Sequence, residues 1–258
     1  MSSFVLRINA ISSDTSMPVI DAADLSFNEL PPVESDAWEF FALDGTNDSL
    51  TGTLNNRSLT KQNTVTSGAD FFTLAIGSNV KNALVSTFSD NRIQTQAMVI
   101  RFETLPTNSL QIPFIAGSMS NTAGSGIYLD PGSSLSMRRN FRPSIAASEQ
   151  PYASLGNKWI FVAFSENGDG SQMVSTLFCS NGTTSPYSVE RTDAIAKVLA
   201  STGIGVGHVN YVTPAERPTL NMDVAEYAIF DTAKTPAELA QMYARAKRRM
   251  AERGISLS

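Results

Sequence analysis

Hydrophobic and polar residues alternate with a period of two over short segments along most of the chain, which is the pattern of half-buried β-strands. Segments 158–164 and 173–178 are separated by 165–172, whose Asn and Gly residues accept the positive φ that hairpin turns need. Many short strands with turns between them and no interleaved helices predict a sandwich or barrel. The strands are predicted at 37–43, 71–76, 97–102, 111–116, 126–129, 135–138, 158–164, 173–178, 203–212 and 220–230.

The periodicity changes to that of a helix only near the end of the chain. Thr235 is a suitable N-cap, Pro236 suits the first helical position, and Glu238 completes a capping box with Thr235. Gly254 stands where a helix C-terminus is expected. The apolar positions with helical spacing are Leu239, Met242, Tyr243, Ala246 and Met250.

The C-terminal half of this helix is basic. Cations there interact favourably with the helix dipole, which explains the charge without a nucleic acid partner. A docking helix for an acidic partner is the alternative. The residues concerned are Arg245, Lys247, Arg248, Arg249 and Arg253.

The first 34 residues do not read as a core, since Ser12, Ser13, Asp14 and Pro18 interrupt them, several acids follow, and Pro31-Pro32 stands near their end. This composition predicts an extended arm that is held by the sandwich or by a neighbouring subunit. The predicted organisation is therefore an arm at 1–34, a β-sandwich at 35–234 and a packed helix at 235–254.

Composition limits the classes of function. The net charge is −5 and no basic stripe crosses the body of the chain, so nucleic acid binding is not expected. The one cysteine, Cys179, lies in an apolar run and is expected to be a buried thiol. No apolar stretch approaches the length of a membrane span, and the start lacks the apolar region of a secretory signal. We expect synthesis in the cytoplasm without export.

Four stretches of the chain carry a resemblance in the order of their elements: 37–45, 97–103, 158–164 with Asn181-Gly182, and 203–205 followed by 222–231 and 235–239. The chain is similar to the concanavalin A-like lectin/glucanase superfamily in its laminin G-like and pentraxin-like form. This resemblance implies an all-β fold, a concanavalin A-like jelly-roll β-sandwich with an N-terminal extended arm and a C-terminal α-helix. It also resembles the lectin-like domains of phage virion proteins.

The catalytic motif of the glucanases in this superfamily is absent from the sequence. Their two glutamates lie on one strand as Glu-x-Asp-x-Glu or Glu-x-Asp-x-x-Glu, which keeps both on one face. Asp223 and Glu226 have an odd spacing and are expected on opposite faces of a regular strand. Glu166 and Asp169 are expected to be solvated turn residues. We therefore predict no catalytic residues and no enzyme activity.

Nucleophilic catalysis and dinucleotide binding are also disfavoured. The one histidine, His208, has no evident nucleophile partner, and a structural or surface role is expected for it. The run Gly203-Ile204-Gly205-Val206-Gly207 lacks the last glycine of a dinucleotide loop and precedes no helix. Trp38 and Trp159 lie in alternating apolar strands and are expected in the core.

Loop positions provide the candidate ligand surface. Arg138, Arg139 and Asn140 are equally suited to a subunit contact. Cofactors are not expected, although Asp44, Asn47 and Asp48 are candidate calcium ligands in what is more simply a turn. The candidate ligand-binding residues are Tyr128, Asp130, Arg138, Arg139, Asn140, His208, Asn210 and Tyr211.

These observations favour a non-enzymatic virion component, on a phage tail or capsid surface, acting through assembly and glycan adhesion. The expected partners are other virion proteins, further copies of the chain and a cell-surface glycan. The alternatives are a glycan-degrading hydrolase on a virion or cell surface and a free carbohydrate-binding lectin.

Overall fold

The structure is a computed structural model. It describes residues 33–77, 80–105, 113–120, 122–130, 134–139, 156–168, 171–180, 186–194, 197–211 and 220–258, with side chains given at all of these except 130 and 134–139. The predicted arm lies outside these residues apart from Val33 and Glu34.

The described residues form two antiparallel sheets. The strands are β1 (Glu39–Ala42), β2 (Thr60–Gln62), β3 (Val65–Ser67), β4 (Phe72–Ile76), β5 (Ala83–Ser89), β6 (Gln94–Phe102), β7 (Phe114–Gly117), β8 (Ser125–Asp130), β9 (Ser134–Arg139), β10 (Trp159–Gly168), β11 (Met173–Cys179), β12 (Tyr187–Asp193), β13 (Gly203–Gly207) and β14 (Leu220–Phe230). The larger sheet has the order β12-β11-β10-β6-β14-β4-β3, with β1 also paired to β14. The smaller sheet has the order β2-β5-β13-β7-β8-β9.

The two sheets face each other across the main hydrophobic core. Alternate residues of both sheets fill it, including Phe41, Ile100 and Phe164 from the larger sheet and Ile127 and Val206 from the smaller one. Burial of these side chains provides the main stabilisation of the sandwich. The prediction of an all-β sandwich with a C-terminal helix is confirmed.

Helix α1 (Pro236–Glu252) covers the outer face of the larger sheet. The Thr235 hydroxyl accepts a hydrogen bond from the Glu238 backbone N–H, and the Glu238 carboxylate accepts one from the Thr235 backbone N–H, so the predicted capping box is confirmed. The apolar stripe of the helix, with Leu239 fully buried, packs in a second core with Phe40 and Phe161. The central strands β6, β10 and β14 of the larger sheet are therefore buried on both faces.

Two of the strands that the alternation did not predict are β5 and β12. In β5 the inward side chain of Ser86 is polar, and its buried hydroxyl donates to the Ile204 carbonyl at 2.6 Å, so the apolar alternation is interrupted. In β12 most residues are exposed at the end of the larger sheet, so no apolar face marks the strand.

The glycines of 203–207 have a structural explanation. A Cβ atom at Gly205 would lie 2.1 Å from the Leu84 carbonyl oxygen, and one at Gly203 would lie 2.1 Å from that of Ser86. Both glycines therefore allow β13 to approach β5 at a bulge. The predicted strand 203–212 ends at Gly207.

Candidate functional site

Several predicted ligand residues meet in an aromatic cluster beside the smaller sheet. The Phe114 ring centroid lies 4.2 Å from that of Tyr211 and 5.6 Å from those of Tyr128 and His208. His208 Nε2 accepts a hydrogen bond from the Phe114 backbone N–H at 2.8 Å. The imidazole therefore fixes the start of β7, which is the structural one of the two roles, structural or surface, that were expected of it.

The expectation that these residues form an open loop surface is wrong. Tyr128, His208 and Tyr211 are 1%, 0% and 4% exposed, because they pack on one another and on Phe114. Asn210 is half-buried and donates to the Ser118 carbonyl oxygen at 3.2 Å. Their role in ligand binding stays a prediction.

The other predicted ligand residues lie on or after the last two strands of the smaller sheet. Asp130 ends β8, while Arg138 and Arg139 belong to β9 and pair with Gly126 and Ser125. Arg138 and Arg139 are therefore strand residues, not loop residues. Asn140 lies outside the described residues, so its role also stays a prediction.

The candidate calcium turn is held by its own hydrogen bonds. The Asp44 carboxylate accepts from the Thr46 backbone N–H at 2.8 Å and from its hydroxyl at 2.6 Å. Burial tends to raise the pKa of Asp44, but these hydrogen bonds hold it below its ordinary value. Asn47 Oδ1 accepts from Lys61 Nζ at 3.0 Å, and Asp48 opens a short 3₁₀ turn, Asp48–Leu50. Among the described residues, no group of three His, Cys, Asp or Glu side chains could hold a metal ion.

The two tryptophans differ in their surroundings. Trp159 is 9% exposed and packs in the core beneath α1, as predicted. Trp38 is half-buried, with its ring 5.0 Å from that of Phe88 and the Arg57 guanidinium 4.0 Å above it. The core prediction is thus confirmed for Trp159 and only partly for Trp38.

The carboxylates of β14 lie on the same side of the sheet, contrary to the prediction. A bulge at Ala225 inserts one extra residue between Val224 and Glu226. The extra residue shifts the alternation by one position, so the Asp223 and Glu226 side chains lie on the same face of the sheet. The Arg253 guanidinium donates to the carbonyl oxygen of the bulged Ala225 at 2.8 Å. An odd spacing in sequence therefore does not separate the two carboxylates here.

Each of these carboxylates has an arginine partner. Arg101 donates to Asp223 Oδ2 from Nε and from Nη2, at 2.9 and 2.7 Å. Arg249 of α1 donates to Glu226 at 2.8 and 2.5 Å and to Glu34 at 3.0 Å. Burial raises the pKa of Glu226, and the hydrogen bonds from Arg249 oppose that rise. Glu34, the last residue of the predicted arm, is buried and also binds Arg245.

Glu166 is not the solvated turn residue that the sequence suggested. Strand β10 continues to Gly168, and the Glu166 side chain is fully buried, while Asp169 lies outside the described residues. Its Oε2 atom lies 2.7 Å from Lys197 Nζ, which also lies 2.5 Å from Asp90 Oδ1. All three side chains have no exposed surface, so one ammonium and two carboxylates form a buried charged cluster.

Polar groups from both sheets surround this cluster. Gln94 Nε2 of β6 donates to Glu166 at 2.9 Å and to Asp90 at 3.2 Å, and the Ser125 hydroxyl of β8 donates to Glu166 at 2.6 Å. The Ala200 backbone N–H donates to Asp90 Oδ2 at 2.8 Å. No sequence motif joins these residues. The polar segment that contains Glu166 precedes a Gly-rich turn, and nothing in its sequence indicated that it is buried.

Cys179 is buried, as predicted from its apolar run. Burial raises the pKa of its thiol to about 12, so the thiolate is not formed at neutral pH. The thiol donates to the Ser180 carbonyl oxygen at 3.0 Å. The residue therefore acts as a small apolar side chain of the core.

A surface cavity lies between α1 and the residues that precede β1. Its volume is about 360 Å³, within the range of small-molecule sites. Inside it Lys234 pairs with Asp36 at 2.5 Å, and Arg245 pairs with Glu34 at 2.5 Å. Its lining residues are Val33, Glu34, Ser35, Asp36, Lys234, Glu238, Gln241, Met242 and Arg245. The cavity thus offers both hydrogen-bond donors and acceptors.

No helix in the described part of the chain has the length and hydrophobicity needed to cross a membrane. The chain matches no family model, and no curated protein matches it.

Solved structures share the sandwich at low sequence identity. The receptor-binding domain of botulinum neurotoxin D is 16% identical with a TM-score of 0.52, and the match covers 81% of this chain and 52% of that one. A second structure is of botulinum neurotoxin type C, whose cell entry depends on interaction with two ganglioside molecules. It is 16% identical with a TM-score of 0.55, and the match covers 81% of this chain and 51% of that one.

The binding domain of botulinum neurotoxin DC in complex with SialylT is also 16% identical, with a TM-score of 0.52 over 82% of this chain and 51% of that one. This chain thus spans about half the length of the structures that it matches. At such identity the likeness shows a common fold.

Proposed function

We propose that this chain is a non-enzymatic glycan-binding module of a phage virion, on the tail or capsid surface. The proposal that the chain binds a glycan is supported by one observation, the sandwich that it shares with the neurotoxin binding domains. One of those domains is in complex with SialylT. A fold alone hosts many functions, so the site must be argued from this chain's own residues.

We place the fold in the concanavalin A-like superfamily as part of the same proposal. Two antiparallel sheets enclose one core, and a capped C-terminal helix packs on the outer face of the larger sheet. These features agree with the resemblance that segments 203–205, 222–231 and 235–239 carry.

The cavity beside α1 is the surface that we propose for the glycan. Sugar hydroxyl groups require both donors and acceptors, and the exposed Gln241 amide supplies both. The exposed Asp36 carboxylate supplies acceptors, and its hydrogen bond with Lys234 holds it in place. Burial tends to raise the pKa of Asp36, but Lys234 holds it below the ordinary value, so the group is ionised at neutral pH.

The chemistry of the buried carboxylates supports binding without hydrolysis. Glu226 and Asp223 are bound to arginines, and Glu166 is bound to Lys197 with no exposed surface. A retaining glycosidase needs one carboxyl group free to protonate the leaving oxygen and a second free to attack the sugar. These carboxylates are instead committed to cations.

We expect purified protein to bind glycans on an array that includes sialylated and bacterial surface oligosaccharides. Gln241→Ala should weaken binding roughly tenfold, since a lost hydrogen bond in a sugar site costs about 1 kcal/mol or slightly more. Arg248→Ala, an exposed change on the same helix, is the matched control and should bind as wild type.

An Arg138→Ala/Arg139→Ala variant tests the sequence-predicted surface in the same assay. Loss of binding in that variant alone would move the site to β9, and no binding by wild type would contradict the glycan proposal. Release of reducing ends from any bound polysaccharide would favour the hydrolase alternative.

The virion part of the proposal rests on residues 1–34, an acidic, proline-containing segment that we expect to be an extended arm in contact with a neighbouring protein. Deletion of residues 1–32, which leaves Glu34 on Arg249, should preserve the melting temperature and abolish incorporation into particles. Mass spectrometry of purified particles measures incorporation. Full incorporation of the truncated chain, or absence of the intact chain from particles, would contradict assembly and favour a free lectin.

A further inference from the structure

We propose that Lys197 and Asp90 become joined by an amide bond between their side chains, with Glu166 as the catalytic residue. Lys197 Nζ lies 2.5 Å from Asp90 Oδ1 and 2.7 Å from Glu166 Oε2. None of the three side chains is exposed to solvent. A nucleophile, a carboxyl group and a proton acceptor thus meet in a dry site.

Burial makes the ionised form of this cluster costly. Removing an ammonium and a carboxylate from water is costly, and only excellent geometry offsets that cost. An amide between Lys197 and Asp90 replaces both charges by one neutral group. The same burial shields the amide from attack by bulk solvent, since none of these side chains has exposed surface.

The reaction balances without any co-reactant. Glu166 accepts a proton from the Lys197 ammonium and gives it to an Asp90 carboxylate oxygen, which leaves a neutral amine and a neutral carboxyl group. The Nζ lone pair forms the N–C bond with Asp90 Cγ. Glu166 then takes a second proton from this nitrogen and gives it to the protonated oxygen. The C–O bond breaks and one water molecule leaves.

The neighbouring groups fit these steps. The Ala200 backbone N–H and Gln94 Nε2 donate to the two Asp90 oxygens, where negative charge develops during the attack. The Ser125 hydroxyl and Gln94 hold Glu166 through Oε2. Glu166 Oε1 is buried and accepts no hydrogen bond within the described residues, so this atom is available to carry the proton.

Intact mass spectrometry of the denatured full-length protein tests the proposal. Wild type should be lighter than its sequence by the mass of one water molecule. A tryptic digest should contain one branched peptide in which Lys197 is linked to Asp90, since the modified lysine is no longer cleaved. On a denaturing gel the linked chain should migrate faster, because the bond joins residues 107 positions apart.

Two conservative variants are the controls. Lys197→Arg keeps the positive charge with a group that is not nucleophilic, and Glu166→Gln keeps the shape of the side chain without the proton acceptor. Both should show the full mass of their sequences.

A wild-type protein of full mass, or a branched peptide that joins other residues, would overturn the proposal. Because wild type alone gives this answer, the result does not depend on whether the variants fold. It is also separate from the glycan array, since a linked protein that binds no glycan contradicts only the proposed function.

Discussion

Replacement of Arg249 by Met is expected to lower the free energy of unfolding by about 3–5 kcal/mol, which is the usual cost of removing one partner from a buried ion pair. The Arg249 guanidinium binds Glu226 and Glu34 and lies 4.9 Å from the centre of the Phe40 ring. Met preserves much of the apolar contact with Phe40 but leaves the Glu226 carboxylate buried without its arginine. The loss of stability should therefore come from the uncompensated charge of the buried Glu226 carboxylate.

Urea denaturation of the variant and the wild type measures this difference. Arg248→Met, at the next position of α1 but exposed, should change the free energy of unfolding by less than about 0.5 kcal/mol. Adding Glu226→Gln to the Arg249→Met variant should recover part of the loss, since the amide needs no cation. Equal effects of the Arg249 and Arg248 variants would show that the ion pair does not hold the helix to the sheet.

Leu239→Ala should destabilise the protein by about 2–5 kcal/mol, because the fully buried side chain would leave a cavity beneath α1. Leu239 belongs to the second core, which also contains Phe40 and Phe161 from the sheet. Thermal denaturation should show a lower midpoint. Gln241→Ala, two positions along the helix and exposed, should leave the midpoint nearly unchanged. An unchanged midpoint for Leu239→Ala would contradict the packing of α1 on the sheet.

The sequence predicted those parts of the fold that local pattern determines. Strand 220–230 and the capping box at Thr235 follow from alternation and from capping chemistry, and both are confirmed. Prediction failed where a polar side chain faces inward, as Ser86 does in β5, because its hydrogen bond to the Ile204 carbonyl replaces the apolar contact that alternation detects.

The polar groups of the interior were harder to predict. Glu166 follows a strand and precedes a Gly-rich turn, so its polarity suggested solvent exposure, while its partner Lys197 is distant in sequence. Likewise, the bulge at Ala225 places Asp223 and Glu226 on one face of the sheet, where their spacing predicted opposite faces. The Glu166–Lys197 ion pair and the bulge both depend on which segments become neighbours in the fold. Residue spacing within one strand carries no information about those neighbours.

The outermost strand of the larger sheet has a consequence for behaviour at high concentration. Within the described residues, β12 ends that sheet and carries the exposed Glu190 and Arg191 and the half-buried Asp193. A second chain that added a strand here would have to bring its backbone against these hydrated charges, which opposes continuous sheet growth. Many copies can therefore be present at high local concentration without forming fibrils by strand pairing through this edge.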